Sequence, residues 1–276
     1  STSPDSSGSR QSRDSPRAAK ELCGWPKSKE VALTKPAYLV LEDGSVHPGT
    51  AFGADSPGYG EVVFNTSMTG YQEVLTDPSY AGQLVTLTYP LVGNYGINQE
   101  DFESRRIQVA GLIVREHCVQ PSHGGSVRTL DEFLGSQGIP GLAGVDTRAI
   151  TRRLRTRGVM MGAITNTSPE SALGRLAGVE RYDEVDFVRT VTTEKEYRCP
   201  DLSGPLGPGA PAPINRESPT KCRIVVNDCG LKYNILRLLR QRGCEVVAVP
   251  ATTTAEDILA LGPSGVLLSP GPGDPQ

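Results

Sequence analysis

The stretch from Cys222 to Leu268 restricts the possible folds most, because short apolar runs alternate in it with amphipathic segments. The apolar runs have the length and composition of buried strands, and the segments between them have helical spacing. Strands are predicted at 222–226, 245–250 and 265–268, and helices at 231–242 and 254–261. This β-α-β-α-β order is typical of the start of a doubly wound parallel sheet.

Residues 37–200 follow a different pattern, in which strand signals outnumber helix signals. An alternating segment from Ala37 turns at Asp43-Gly44, a dipeptide typical of hairpins. Further strands are predicted at 60–65, 83–88 and 109–116, and a helix at 129–137. The chain is therefore predicted to be α/β overall, and its first domain to be mixed β/α with a barrel- or sandwich-like sheet.

A clearer helix of this region begins after Asp146, a good N-cap, and ends before Gly158. Ile150 and Leu154 share its inner face. The remaining face is basic and carries Arg148, Arg152, Arg153, Arg155 and Arg157. Two interpretations stay open: a solvated face that complements the helix dipole, or a docking surface for an acidic partner.

Two segments have the composition of connectors. Residues 1–36 begin with a Ser-, Arg- and Pro-rich stretch and are predicted to be a disordered tail. An organelle transit segment is the alternative, although such segments are poor in acids and this one contains Asp5 and Asp14. Residues 201–220 are rich in Pro and Gly and are predicted to be a linker to a second domain at 221–276.

The overall charge gives no sign of a polyanionic partner. The 28 Lys and Arg residues nearly balance the 31 Asp and Glu residues, and the formal net charge is −3. No apolar run approaches the ~18–20 residues that span a bilayer. Neither nucleic acid nor a membrane is therefore predicted as a partner.

The six cysteines show no tight spacing of the kind that zinc sites use. Only His117-Cys118 with His123 comes near such a pattern. We therefore predict no metal site, and we interpret the cysteines as isolated, half-buried thiols in a reducing cytosol.

Two glycine-bearing turns follow strands of the predicted parallel sheet, at the edge where such sheets bind ligands. The first is 227–230 (NDCG), and the second is 269–275 (SPGPGDP). In the second turn, the amides of Gly271 and Gly273 are exposed by alternating prolines, so they can approach a ligand or donate to an oxyanion. A purely structural strand-to-helix turn is the alternative.

The second turn and five upstream strings together resemble one enzyme family. SPGPGDP after a short apolar strand looks like the oxyanion loop of class I glutamine amidotransferase domains. The upstream strings are similar to the small, glutamine-hydrolysing subunit of carbamoyl phosphate synthetase, from about residue 37 to 276. They are YLVLEDG (38–44), GEVVFNTSMTGYQEVLTDPSY (60–80), TLTYPLVGNYG (86–96), GVDTRAITRRLR (144–155) and CGLKYNILRLL (229–239).

The resemblance implies three contacts with the substrate L-glutamine. Ser79 matches a serine of the first domain that contacts bound glutamine, and Gly271 and Gly273 match backbone contacts of the oxyanion loop. A hydroxyl can bind the polar end of the substrate, while two amides receive the amide oxygen as it gains charge. Without the resemblance, Ser79 would be interpreted as a turn residue after Pro78.

The resemblance also implies a Cys-His-Glu mechanism, with the cysteine on a sharp G-x-C-x-G turn. None of the six cysteines has that context, and the family places this turn after SPGPGDP. We therefore expect no catalytic residue in this chain, which we interpret as C-terminally truncated and inactive in glutamine hydrolysis. Cys229 is interpreted as a turn or core residue.

The function that the resemblance implies for the whole protein is the supply of ammonia from glutamine. A large synthetase subunit would use the ammonia, with ATP and Mg²⁺, to make carbamoyl phosphate for arginine and pyrimidine synthesis. The implied location is cytoplasmic, or an organelle if the tail is a transit segment.

Two other functions are consistent with parts of this sequence. Amidotransferases of anthranilate or guanylate synthesis lack a domain like 37–190. A non-catalytic docking or regulatory module for the large subunit stays open.

Overall fold

A computed structural model of the protein describes residues 35–199 and 221–273. The predicted linker 201–220 lies outside these ranges, as does the predicted tail 1–36 except for Lys35 and Pro36. The first strand already begins at Pro36. Within the described part of the chain, no helix is both long and apolar enough to cross a membrane.

The first part of the chain is built mainly from strands. These are β1 Pro36–Leu41, β2 Val46–Gly53, β3 Gly58–Asn65, β4 Gln83–Leu87, β5 Leu91–Val92, β6 Gly111–Ile113, β7 Glu116–His117, β8 Pro140–Ala143 and β9 Met160–Thr165. The helices are α1 Tyr71–Thr76, α2 Leu130–Ser136, α3 Thr147–Arg157, α4 Pro169–Leu176 and α5 Phe187–Val191.

Seven of these strands close into a barrel with the order β1-β2-β8-β6-β4-β3-β9. The central pairs β3–β4, β4–β6 and β6–β8 are parallel, and the other neighbours are antiparallel. Closure pairs every strand on both sides, so the barrel has no exposed edge. The predicted barrel- or sandwich-like sheet is confirmed as a barrel.

Alternation along the strands fills the barrel with aliphatic side chains. Leu39 and Leu41 on β1, Leu84 on β4 and Leu142 on β8 are fully buried in one cluster. The predicted inner face of α3 joins the same cluster through Ile150 and Leu154. Burial of several such side chains, each worth about 1.5–3 kcal/mol, gives the barrel an apolar core of its own.

The caps of α3 are those that the sequence predicts. The Asp146 carboxylate accepts the Ala149 N–H, and Gly158 ends the helix with a φ of 89°. Two of its arginines already have partners within the chain: Arg153 forms an ion pair with Asp43, and Arg155 lies over the Phe64 ring.

The second part of the chain is a four-stranded sheet with the order β10-β12-β11-β13. Its elements are β10 Tyr197–Cys199, β11 Cys222–Asp228, α6 Tyr233–Gln241, β12 Cys244–Pro250, α7 Ala255–Ala260 and β13 Gly265–Leu268. The strands β12, β11 and β13 are parallel, as predicted for the start of a doubly wound fold. The strand β10 is antiparallel to β12.

Two details differ from the sequence prediction. The predicted strand 109–116 is split into β6 and the separate β7, which pairs with β5 outside the barrel. The strand β10 lies before the predicted linker but pairs in the second sheet, so the boundary at residue 200 does not separate the two sheets.

The barrel and the sheet share the largest apolar cluster of the described residues. Phe102 and Ile107 of the barrel part belong to it, and so do Leu231, Tyr233 and Leu236 at α6. The described residues, 35–199 and 221–273, accordingly belong to one compact unit.

We predict that Gly60→Ala lowers the free energy of unfolding by about 1–3 kcal/mol, as overpacking of a core does. A Cβ at residue 60 would lie 2.1 Å from the Gly82 carbonyl oxygen, so β3 and β4 would have to separate. Gly174→Ala on α4 is the control, because a Cβ there meets open space. The control should gain about 0.5–1 kcal/mol from helix propensity. Urea unfolding of both variants measures the two effects, and a Gly60→Ala variant as stable as the parent would contradict the prediction.

Candidate functional site

A cavity of about 440 Å³ lies between the barrel and the carboxyl edge of the second sheet. This volume is in the range of small-molecule sites, roughly 300–1,000 Å³. All three residues predicted as substrate contacts line it: Ser79 from the barrel side, and Gly271 and Gly273 from the sheet. The structure thus brings together residues that are almost two hundred positions apart in the sequence.

Ser79 sits in a single 3₁₀ turn, Pro78–Tyr80, that follows α1. The Asp77 carboxylate caps this turn by accepting the Ser79 N–H at 2.9 Å. The Ser79 hydroxyl makes no hydrogen bond with any side chain or backbone group that the structure describes, so its donor and acceptor capacity is free for a ligand.

The other oxygen of the Asp77 carboxylate binds the second domain. Lys232 Nζ lies 2.7 Å from Asp77 Oδ2, and the Asp77 side chain is only 11% exposed. The Lys232 side chain is 33% exposed, so solvent screens this ion pair in part. One carboxylate therefore orients the Ser79 turn and ties it to the residue that precedes α6.

The two glycine turns of the sheet pack backbone against backbone. A Cβ on Gly271 would lie 2.1 Å from the Cys229 carbonyl oxygen, and one on Gly230 would lie 2.9 Å from the Gly271 Cα. Gly230 also has a φ of 136°, which side chains rarely adopt. Glycine at both positions is thus a steric requirement for bringing the turns together at the end of β11 and β13.

The side chains of Asp228 on β11 and of Ser269, directly after β13, hold these turns in place. The Asp228 carboxylate accepts the N–H groups of Gly230 and Leu231, and its second oxygen accepts the Thr193 N–H. The Ser269 hydroxyl accepts the Cys229 N–H at 2.9 Å. Because these bonds fix both turns to each other, the Gly271 amide is presented to the cavity on a rigid support.

The Gly273 amide lies near the Tyr182 hydroxyl. Burial raises the pKa of this phenol, and the nearby Gly273 N–H opposes the rise. The Tyr182 ring stacks on Phe187 with 4.7 Å between ring centroids. The Tyr182 hydroxyl therefore lies beside the amide that a ligand would use.

Glu61 and Gln83 form a hydrogen-bonded pair on the cavity wall. The Gln83 amide donates to Glu61 Oε2 at 2.8 Å, across the β3–β4 pair. Burial raises the pKa of the Glu61 carboxyl, and the bond from Gln83 and the charge of Arg181 only partly oppose this. Glu61 thus faces the cavity as a carboxylate that lacks a close cationic partner.

Cys229 lies beside the cavity but has none of the features of an activated nucleophile. Its thiol donates to Asn227 Oδ1 at 3.2 Å, and burial raises the pKa of the thiol. Reactive thiols have a lowered pKa and a base or cation beside them. The interpretation of Cys229 as a turn residue stays a prediction, which this environment supports.

The histidines considered as metal ligands have other contacts. His117 stacks on Phe52 with 4.3 Å between ring centroids, and His123 Nδ1 accepts the Gly125 N–H. Among the described residues, no group of three or more His, Cys, Asp or Glu side chains is placed to bind a metal ion.

The sequence did not point to Glu61, Gln83, Arg181 or Tyr182 as cavity residues. Glu61 and Gln83 alternate on strands whose other side chains fill the barrel, so their outward direction could be inferred only once the barrel was known. Tyr182 lies in a short 3₁₀ turn, Tyr182–Glu184, that has no motif.

Two family models match the chain. Residues 39–164 match the carbamoyl-phosphate synthase small chain, CPSase domain, and residues 225–276 match glutamine amidotransferase class-I. The first match covers the barrel, and the second covers the described parallel sheet and the glycine turns.

Curated relatives match both parts in one alignment. The carbamoyl phosphate synthase small chain of Fusobacterium nucleatum is 48% identical over 243 residues, which cover 86% of this chain and 62% of the relative. The small chain of Bacillus caldolyticus is 48% identical and covers 86% and 60%. The pyrimidine-specific small chain of Halalkalibacterium halodurans is 48% identical and covers 86% and 61%. The chain thus spans about three fifths of the length of these relatives.

We predict that Asp77→Ala costs about 1–2 kcal/mol of stability, because it removes the cap of the Ser79 turn and leaves Lys232 without its carboxylate. Asp77→Asn keeps an oxygen that can accept the Ser79 N–H but loses the charge, so it should cost less than about 1 kcal/mol. Chemical denaturation of both variants measures the difference. Equal losses would show that the cap contributes nothing separate from the ion pair.

We predict that Glu61→Gln stabilises the protein at neutral pH, by at most about 1 kcal/mol because the carboxyl is partly solvated. The raised pKa means that the folded state binds this proton more tightly than the unfolded state, so ionising Glu61 opposes folding. The gain should disappear as the pH falls below the unfolded value of about 4.3. Thermal unfolding at pH 7.5 and pH 4 measures it, with the exposed Glu180→Gln as control. A gain that is the same at both pH values would exclude desolvation of Glu61 as its cause.

Proposed function

Because the chain belongs to the carbamoyl-phosphate synthase small-chain family, we propose that it holds the glutamine-binding part of a glutamine amidotransferase subunit. The observation that carries this proposal is the shared cavity of Ser79, Gly271 and Gly273. These residues are contributed by the two regions that the two family models match, which supports a site between the CPSase domain and the amidotransferase domain.

In the proposed complex, each of the three residues has a separate role. The free Ser79 hydroxyl binds the polar end of L-glutamine. The amides of Gly271 and Gly273 receive the side-chain amide oxygen, which gains negative charge when a nucleophile attacks the carbonyl carbon.

We assign no nucleophile or base to the described residues. Cys229 donates its proton to an amide oxygen, and none of the described histidines is hydrogen-bonded to a cysteine. The proposal for this chain by itself is therefore glutamine binding without hydrolysis.

The proposal for the whole protein follows from the names of its relatives. Ammonia from glutamine would pass to a large synthetase subunit, which would use ATP and Mg²⁺ to form carbamoyl phosphate for arginine and pyrimidine synthesis. No cofactor is assigned to this chain. A cytoplasmic location is proposed with it and is supported by the free thiols of Cys118, Cys222, Cys229 and Cys244.

A docking role for the large subunit is the second candidate, and α3 favours it. Arg148, Arg152 and Arg157 are exposed and have no ion pair with a described residue. Three unpaired guanidinium groups on one short helix offer an acidic surface bidentate contacts. A chain with only this role would bind the large subunit and not glutamine.

We predict that the chain binds L-glutamine and that Ser79→Ala weakens binding by about tenfold, the loss expected for one ligand hydrogen bond. Isothermal titration with L-glutamine measures the affinity. Ser122→Ala is the matched control, because this serine is exposed and does not line the cavity. Equal affinity of the Ser79→Ala and control variants would remove Ser79 from the site. No binding by the parent chain would leave only the docking role.

A further inference from the structure

Cys222 and Cys244 are the first residues of β11 and β12, and they are direct partners in the parallel pairing of these strands. Their sulfur atoms are 3.5 Å apart. Spacing in the sequence does not indicate this pair, because 21 residues and a helix separate the two cysteines. The prediction of isolated thiols is therefore wrong for these two, which are adjacent.

The backbone fixes this register. The Lys221 N–H donates to the Gly243 carbonyl oxygen, one residue before the pair. Gly243 ends the turn after α6 with a φ of 82°, and a Cβ there would meet the Lys221 side chain. The end of α6 and the β11–β12 pairing thus place Cys244 directly opposite Cys222.

The distance suits a disulfide. Neighbouring strands lie about 4.7–4.9 Å apart, inside the Cα separation of about 4.4–6.8 Å that disulfides span. Closing 3.5 Å to a bond of about 2.0 Å requires each sulfur to move by less than about 1 Å. Rotation of the side chains supplies such a shift, so the strands keep their pairing.

The surroundings allow the chemistry to start. Both cysteines are half-buried, so a small reagent reaches them. Burial and the adjacent Cys222 raise the pKa of the Cys244 thiol, while the charges of Lys221 and Arg242 oppose this rise. The same two cations attract an anionic reagent and stabilise a thiolate as it forms.

We propose that Cys222 and Cys244 are a reversible thiol–disulfide site whose co-reactant is a small, anionic disulfide of the glutathione type. One thiolate of the pair attacks a sulfur of the reagent RSSR, forms a mixed disulfide and releases RS⁻. The second thiolate attacks the protein sulfur of the mixed disulfide, closes the Cys222–Cys244 bond and releases the second RS⁻. The protein loses two protons and two electrons, and RSSR becomes two RSH.

The other described thiols differ from this pair. Cys118 contacts the Gln120 carbonyl oxygen, and Cys229 contacts Asn227. Neither has a second described sulfur beside it, so each can only keep the reagent as a mixed disulfide. The pair is not proposed to bind a tetrahedral metal ion. Among the described residues, no third His, Cys, Asp or Glu is placed to complete such a site.

The proposal does not depend on the proposed glutamine site, which lies at the opposite, carboxyl edge of the same sheet. The test uses the folded 276-residue chain and oxidised glutathione, followed by alkylation of free thiols, proteolysis and mass spectrometry. We expect a Cys222–Cys244 linkage as the dominant protein disulfide, with the loss of two hydrogens, and its reversal by dithiothreitol. The same treatment in urea should remove its preference over other pairings.

Single substitutions make the test specific. Cys222→Ser and Cys244→Ser should each abolish the linkage and leave the remaining thiol as a stable glutathione adduct. Cys229→Ser is the control and should leave the linkage unchanged. Stable adducts or unmodified thiols at both positions of the folded parent chain, or a dominant linkage to any other cysteine, would overturn the proposal.

Discussion

The interaction on which the rest of the structure depends is the capping of α6 by Glu103 from the barrel part. The N-cap residue of this helix, Lys232, makes no side-chain capping bond. Glu103 supplies the missing acceptors: its carbonyl oxygen accepts the Tyr233 N–H, and its carboxylate accepts the Asn234 N–H. A carboxylate at a helix N-terminus is favoured by both the free amides and the helix dipole.

The Glu103 cap is buried, so its carboxylate can bind only the protein groups around it. Glu103 is only 9% exposed, and burial raises the pKa of its carboxyl, although the Asn234 N–H and the Arg237 charge oppose this. Arg237 lies on the same helix and also donates to the carbonyl oxygens of Glu100 and Phe102. Apolar side chains surround these bonds on both sides of the interface. Because buried polar groups are costly when unpaired, separating the barrel from α6 would expose several at once.

Local signals in the sequence predicted most helices, strands and turns. They did not predict which strands pair with each other. The hairpin at Asp43-Gly44, the caps of α3 and the three parallel strands each depend on residues a few positions apart, so composition and spacing suffice. Barrel closure requires β9 to pair with both β1 and β3. The residues of β9, Met160–Thr165, do not indicate which strands those partners are. The strand β10 has only three residues and forms because β12 offers it an edge.

The candidate site shows the same division. Gly271 and Gly273 could be found from a motif, but the steric reason for glycine at 271 is the Cys229 carbonyl oxygen, which only the fold brings near. Ser79 could be found from family resemblance, whereas its orientation depends on Asp77 and therefore on Lys232 of the other domain. Both halves of the cavity thus attach to residues 228–232, which lead into α6: Ser79 through Asp77 and Lys232, and the glycine turns through Asp228 and Gly230. Since Glu103 accepts the Tyr233 and Asn234 N–H groups at the start of α6, its cap holds the end of this segment against the barrel and so supports both halves of the cavity.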